Sequence, residues 1–230
     1  YKKADLVILN TCSIREKACH KAYSFLGRLK PLKERNKEFR IGFVGCAAQM
    51  QGASLLEKYP YIDFIAGTYQ VSKIKDMVEK TRLAAKPVVD TEFTRRDPFD
   101  FIPYEPLSET SKIVEMVNII HGCNNRCSYC IVPFVRGREV SRASQEIVDE
   151  IWKMADSGTR EVVLLGQNVN SYRSHESSGT VTFARLVDKI AQINGIERIR
   201  YVTSHPKDIS MELIDLYKSE SKLTSSLHLP

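Results

Sequence analysis

Ile113-Val-Glu-Met-Val-Asn-Ile-Ile120-His121-Gly122-Cys123-Asn-Asn-Arg-Cys127-Ser-Tyr-Cys130 is an apolar strand that runs into a loop of three cysteines at Cys-x3-Cys-x2-Cys spacing. Downstream, Ser144 is placed to cap a helix whose Ile147, Val148, Ile151, Met154 and Ala155 share one face. Two further strand-helix units follow: Glu161 to Leu165 with a helix over Phe183 to Ile193, and Arg198 to Val202 with a helix over Met211 to Tyr217. A last strand is expected over Ser225 to Leu229. Repeated units of this kind, with chemistry in the loop after a strand, predict part of a (β/α) barrel interrupted partway round.

Upstream, short apolar runs alternate with amphipathic stretches, the pattern of a parallel sheet covered by helices. Strands are expected at Leu6 to Leu9, Ile41 to Val44, Ile62 to Ile65 and Pro87 to Val89. Helices are expected from Ile14 to near Pro31, from Ser54 to Tyr59 and from Ser72 to Lys80. This is a small doubly wound domain. Between Thr91 and Thr110 the periodicity is lost, and Pro98, Pro103 and Pro106 with Arg95 and Arg96 mark a linker. The expected division is 1–92, a linker over 93–111, and 112–230. With no initiator Met and a stop directly after a strand-like segment, the chain reads as a fragment lacking both termini.

An apolar content of 43% in 230 residues is enough for a real core. The formal net charge of +6 permits a polyanionic partner without demanding one. No membrane span or leader is visible, and six cysteines in so long a chain do not make a secreted disulfide scaffold. A reducing, cytoplasmic setting is expected.

Three thiolates so close together can clasp three corners of a 4Fe-4S cluster, and with no nearby fourth cysteine one iron stays open for a ligand. An open iron can bind S-adenosylmethionine (SAM) and split its carbon-sulfur bond to a 5'-deoxyadenosyl radical. The alternatives are packing cysteines or a zinc site completed by His121.

The triplet loop resembles that of the radical SAM superfamily, and the chain as a whole resembles its methylthiotransferases, of the MiaB type. The likeness runs through Asn10-Thr11-Cys12-Ser13-Ile14-Arg15-Glu16-Lys17-Ala18, Gly45-Cys46-Ala47, Ile131-Val132-Pro133-Phe134-Val135-Arg136-Gly137-Arg138-Glu139, Leu165-Gly166-Gln167-Asn168-Val169-Asn170, Thr203-Ser204-His205-Pro206 and Leu227-His228-Leu229-Pro230. It implies an α/β chain in which a doubly wound methylthiotransferase domain precedes part of a radical SAM partial barrel. The implied reaction adds a methylthio group to C2 of an N6-isopentenylated adenosine next to the anticodon of tRNA. One SAM supplies the methyl group and a second yields the radical, with flavodoxin or ferredoxin as electron donor. Related types act on threonylcarbamoyladenosine or on a ribosomal protein. A rival of another class is a non-catalytic iron-sulfur module that binds RNA or carries electrons.

Cys12 and Cys46 each follow an apolar strand, so both emerge at the carboxyl edge of a parallel sheet. The resemblance implies a second 4Fe-4S cluster there, on Cys12, Cys46 and a cysteine upstream of Tyr1, so that this fragment keeps the motif without the complete activity. Cys19 instead lines up with Ala22, Tyr23 and Leu26 and is expected to pack as a small hydrophobe.

Other residues have a role only through the resemblance. Tyr129 matches the aromatic position near the SAM adenine, the alternative being a core residue. Gly166, Gln167 and Asn168 match the turn that meets the methionine amino group, the alternative being a helix-opening turn with Asn as cap. His205 sits on the same rim, and the alternative is a turn residue bonded to backbone. Arg136, Arg138 and Arg142 are placed to hold tRNA phosphates or the SAM carboxylate, or else to pair on a solvated face with Glu139.

Overall fold

A computed structural model describes residues 1, 3–84, 86–93, 98–99, 113–177 and 179–230. The expected linker falls outside the described residues, apart from 93, 98 and 99. The chain forms two compact units: Tyr1–Ile102 with Asn125–Gly137, and Pro103–Asn124 with Arg138–Pro230.

In the first unit, β1 (Leu6–Thr11), β2 (Arg40–Gly45), β3 (Phe64–Ala66) and β4 (Val88–Asp90) form one parallel sheet in that order. Between them run α1 (Glu16–Arg35), α2 (Cys46–Gln51), α3 (Ser54–Lys58) and α4 (Ile74–Ala84). The near-continuous apolar runs of β2 and β3 follow from burial on both faces, since alternate residues point opposite ways. Ile41, Phe43 and Ile65 pack with Leu26, Leu29 and Leu55. Val44, Phe64 and Ala66 pack with Met77 and the neighbouring Ile74 and Val78 of α4. The sheet is thus covered on both sides.

Three sequence expectations are corrected here. α1 does not stop near Pro31 but continues through it to Arg35. Proline removes the bond to the carbonyl four residues back, which is that of Gly27; both residues are exposed, so water can take that carbonyl. The last turns are anchored by Lys33, which donates to Phe39 O at 2.6 Å and pairs with Asp63 at 2.7 Å. Ile14, expected on the buried face, precedes the helix and is exposed. The residues from Cys46 form α2, which the sequence reading did not contain.

The second unit holds a parallel sheet in the order β11 (Arg198–Tyr201), β8 (Glu161–Leu165), β5 (Val114–Asn118). α6 (Ser144–Asp156), α7 (Phe183–Ala191) and α8 (Met211–Ser219) cover it through Ile147, Ile151, Val162, Leu164, Leu186, Ile199 and their neighbours. Each fully buried aliphatic side chain contributes about 1.5–3 kcal/mol. The strand expected as far as Ile120 breaks after β5, and its end, β6 (Ile120–His121), pairs antiparallel with β7 (Val140–Ser141).

Two more corrections fall in this unit. Ser144 is not a cap: Ala143 holds the N-cap position, and the fully buried Ser144 hydroxyl instead donates to Glu176 and accepts from Lys189 Nζ at 2.9 Å. Those partners sit far along the chain, Glu176 on a hairpin of β9 (Arg173–Glu176) and β10 (Gly179–Thr182) that the sequence reading did not anticipate. Ser225 to Leu229 are exposed and form no strand; pairing with β11 ends at the single bridge Ile199 to Leu223.

Candidate functional site

The parallel register of β1 and β2 pairs Thr11 with Gly45, so Cys12 and Cys46 occupy the next positions of neighbouring strands at one sheet edge. Gly45 has φ 93°, and a Cβ there would lie 2.6 Å from both Asn10 Oδ1 and Thr11 O. Only glycine lets the chain turn so close to β1. Cys12 is half-buried and Cys46 is buried. Cys19 packs in the core as expected, and its Sγ donates to Cys12 O at 2.8 Å. Burial, then the neighbouring Cys12, pushes the Cys19 thiol above its ordinary value, so it stays protonated and able to donate.

β6 leads into the cysteine loop and β7 leaves it, so the antiparallel pair closes the loop at its base. Cys123, Cys127 and Cys130 are half-buried. Cys123 belongs to the second unit, and Cys127 and Cys130 to the first. Cys127 O accepts from Cys130 N at 3.0 Å in a tight turn, after which α5 (Val132–Arg136) begins. Among the described residues no three His, Cys, Asp or Glu side chains gather as for a metal ion. The donor set, three soft thiols in eight residues, fits an iron-sulfur cluster by its chemistry.

Tyr129 is 86% exposed and is therefore no core residue. At the end of β8, Gly166 is required by packing, since a Cβ would meet Ile120 Cγ2 at 2.2 Å. Gln167 Oε1 accepts from Gly122 N at 2.6 Å, tying this strand end to the residue before Cys123. Asn168 makes no side-chain cap: its Nδ2 donates to Asp208 Oδ2 at 2.6 Å, and its buried Oδ1 has no hydrogen-bond partner among the described residues. His205 is the turn residue of its alternative reading, accepting at Nδ1 from Lys207 N at 3.1 Å while its backbone bonds to the Asn170 amide. Arg142 pairs with Glu146 and Glu150, Arg138 is exposed and Arg136 ends α5.

Glu139 and Thr203 take roles here that the sequence did not assign to them. Glu139 accepts from Ser171 Oγ at 2.7 Å, and burial pushes its carboxyl above its ordinary value. Thr203 takes φ 66°, a rare conformation for a β-branched residue. It is held there by donating from Oγ1 to Gly166 O at 2.7 Å and accepting from Val169 N at 3.0 Å. No local pattern marks either residue, because their partners lie far along the chain.

Comparison with known proteins now adds to the geometry. Residues 117–228 match the Radical SAM superfamily, and residues 1–67 match the Uncharacterized protein family UPF0004. The parallel α/β fold and the thiol loop thus define a radical SAM protein, a class that uses SAM and a 4Fe-4S cluster. The tRNA-2-methylthio-N(6)-dimethylallyladenosine synthase of Syntrophotalea carbinolica is 45% identical over 229 residues, covering 100% of this chain and 52% of that protein. The protein of the same name from Syntrophus aciditrophicus is 48% identical over 228 residues, covering 99% of this chain and 49% of its own length. Within the superfamily, the chain belongs to the radical SAM methylthiotransferase family. It spans about half the length of the curated relatives it matches. Among solved structures, the radical S-adenosylmethionine methyltransferase TsrM from Kitasatospora setae has TM-score 0.60 at 14% identity, over 95% of this chain and 46% of its own, a likeness of fold.

Proposed function

We propose that this chain is the two-cluster portion of a tRNA methylthiotransferase that modifies C2 of N6-isopentenyladenosine next to the anticodon. The Cys-x3-Cys-x2-Cys loop, tied at Gly122 to Gln167 in the turn after β8, is the observation that carries the reading. It is supported by end-to-end likeness to relatives that bear the synthase name. Cys123, Cys127 and Cys130 hold one 4Fe-4S cluster. Cys12 and Cys46 supply two thiolates of a second, with a third from elsewhere in the full-length protein.

When bound, the reduced cluster and SAM supply a radical able to take hydrogen from an unactivated C–H bond. The chain's own residues prepare for that. Gln167 fixes the loop, the exposed Tyr129 offers a ring to the adenine of SAM, and Gly166, Asn168 and His205 line the rim. Arg136 and Arg138 meet phosphate. Arg142 steadies the loop exit through Glu146 and Glu150. The tRNA base must leave its stack to reach the rim, and its docking excludes water from the radical. Flavodoxin or ferredoxin supplies electrons in the cytoplasm. Among the described residues no helix is long and apolar enough to cross a membrane.

The full-length protein, reduced with dithionite and given SAM, should release 5'-deoxyadenosine and place a methylthio group on isopentenylated tRNA. Incorporation into a protein side chain alone, or no 5'-deoxyadenosine at all, would overturn the reading.

A further inference from the structure

The five-residue helix α5, which opens two residues after Cys130, ends on carbonyls that no intrahelical amide can satisfy. Two hydroxyls of the loop after β3 reach them. Thr68 Oγ1 donates to Val135 O at 2.8 Å, and Tyr69 OH donates to Arg136 O at 3.2 Å. Thr68 and Val135 are both buried, so this bond is shielded from competing water. Thr68 is itself fixed from behind, since its amide donates to Gln49 Oε1 at 3.1 Å. Gln49 stands one turn along α2 from Cys46, and its Nε2 donates to Thr91 O. Tyr69 is fixed by an edge-to-face contact with Phe93 at 5.6 Å.

A continuous series of hydrogen bonds therefore runs, within the first unit, from the helix that Cys46 opens to the helix that follows Cys130. We infer that Thr68, with Tyr69, is a positioning residue for the cysteine loop: it holds α5 so that the Cys127–Cys130 turn keeps one placement, referenced through Gln49 to the Cys46 sheet edge. A buried valine of the same shape would fill its space equally well, while leaving Val135 O without a donor. The inference rests on the proposed reading of the triplet as the SAM-cleaving cluster site.

The test uses the full-length protein and its Thr68→Val, Thr68→Ser and Tyr69→Phe variants. In the metal-free protein, hydrogen exchange of the amides in Ile131–Gly137 should quicken about tenfold in Thr68→Val and return to the wild-type rate in Thr68→Ser. In the reconstituted protein, Thr68→Val should keep its iron but alter the electron paramagnetic resonance signal of the reduced cluster with SAM, and slow 5'-deoxyadenosine formation about tenfold. Tyr69→Phe should move each readout in the same direction by less, and it carries the test if Thr68→Val does not fold. Exchange confined to wild-type rates in both variants, or a quickening that Thr68→Ser fails to reverse, would overturn the inference. A wild-type protein that yields no 5'-deoxyadenosine would sink the functional reading instead, and the exchange comparison would still decide the role of Thr68.

Discussion

Cys12 and Cys46 stand beside one another at a single sheet edge, because the residues before them, Thr11 and Gly45, are partners in the parallel ladder of β1 and β2. Their separation of 33 intervening residues disappears in the fold, and the glycine before Cys46 allows a turn in which any Cβ would lie 2.6 Å from Thr11 O of β1. On the proposed reading, the two cysteine sets work independently.

Iron content should resolve that independence. Cys123→Ala and Cys46→Ser should each remove about four irons from the full-length protein and leave about four. Cleavage of SAM should survive in Cys46→Ser and vanish in Cys123→Ala, with methylthio product absent from both. Loss of all iron from either single substitution would show the two sites to be one.

Gln167→Leu removes the acceptor for the Gly122 amide while keeping a side chain of similar volume. A hydrogen bond lost next to the first cysteine should slow SAM cleavage about tenfold or more, with thermal stability reduced by about 1–3 kcal/mol. Turnover equal to that of the wild type would show that the loop is placed without Gln167.

Tyr172 is fully buried, and its hydroxyl donates to Arg142 O at 2.7 Å, where the chain leaves β7. Tyr172→Phe keeps the ring and strands that carbonyl, so unfolding should become easier by about 1–3 kcal/mol. Denaturant titration at constant slope measures it. Arg142→Ala leaves this bond in place, since it is made to the backbone, and removes instead the pairs with Glu146 and Glu150.

Glu139 should make stability depend on pH. Burial raises its carboxyl, with Asp208 assisting and the Ser171 hydroxyl opposing. A raised folded-state value means that the native protein binds this proton more tightly than the unfolded chain does. The resulting stabilisation is complete below the unfolded-state value and is lost as pH rises through the folded one. Glu139→Gln retains an acceptor for Ser171, so it should melt about 1–2 °C higher than the wild type at neutral pH. The gain should disappear below the ordinary carboxylate range. A difference that is the same at every pH would mean that Glu139 does not titrate anomalously.

The sequence by itself determined the parallel architecture and the thiol chemistry. The runs Ile41-Gly42-Phe43-Val44 and Glu161 to Leu165 are apolar at nearly every position, which only burial on both faces tolerates, and both are strands. On the proposed reading, the spacing of Cys123, Cys127 and Cys130 makes a ligand set wherever the loop goes. Even the convergence of Cys12 and Cys46 was legible, because every strand of a parallel sheet ends at the same edge.

Tertiary structure decided everything that depends on partners far along the chain. α1 passes Pro31 because its freed carbonyl faces water and Lys33 finds Asp63, a residue 30 positions away. Ser144 abandons the capping role its position announces, since Glu176 and Lys189 come within reach. Nothing local to Glu139, Thr203 or Thr68 announces the bonds they make, for their partners are Ser171, Gly166 and Val135. Periodicity reports which face of a segment is buried. It is silent on which side chain of another segment will be opposite, because that is fixed only when strand register and helix packing are fixed together.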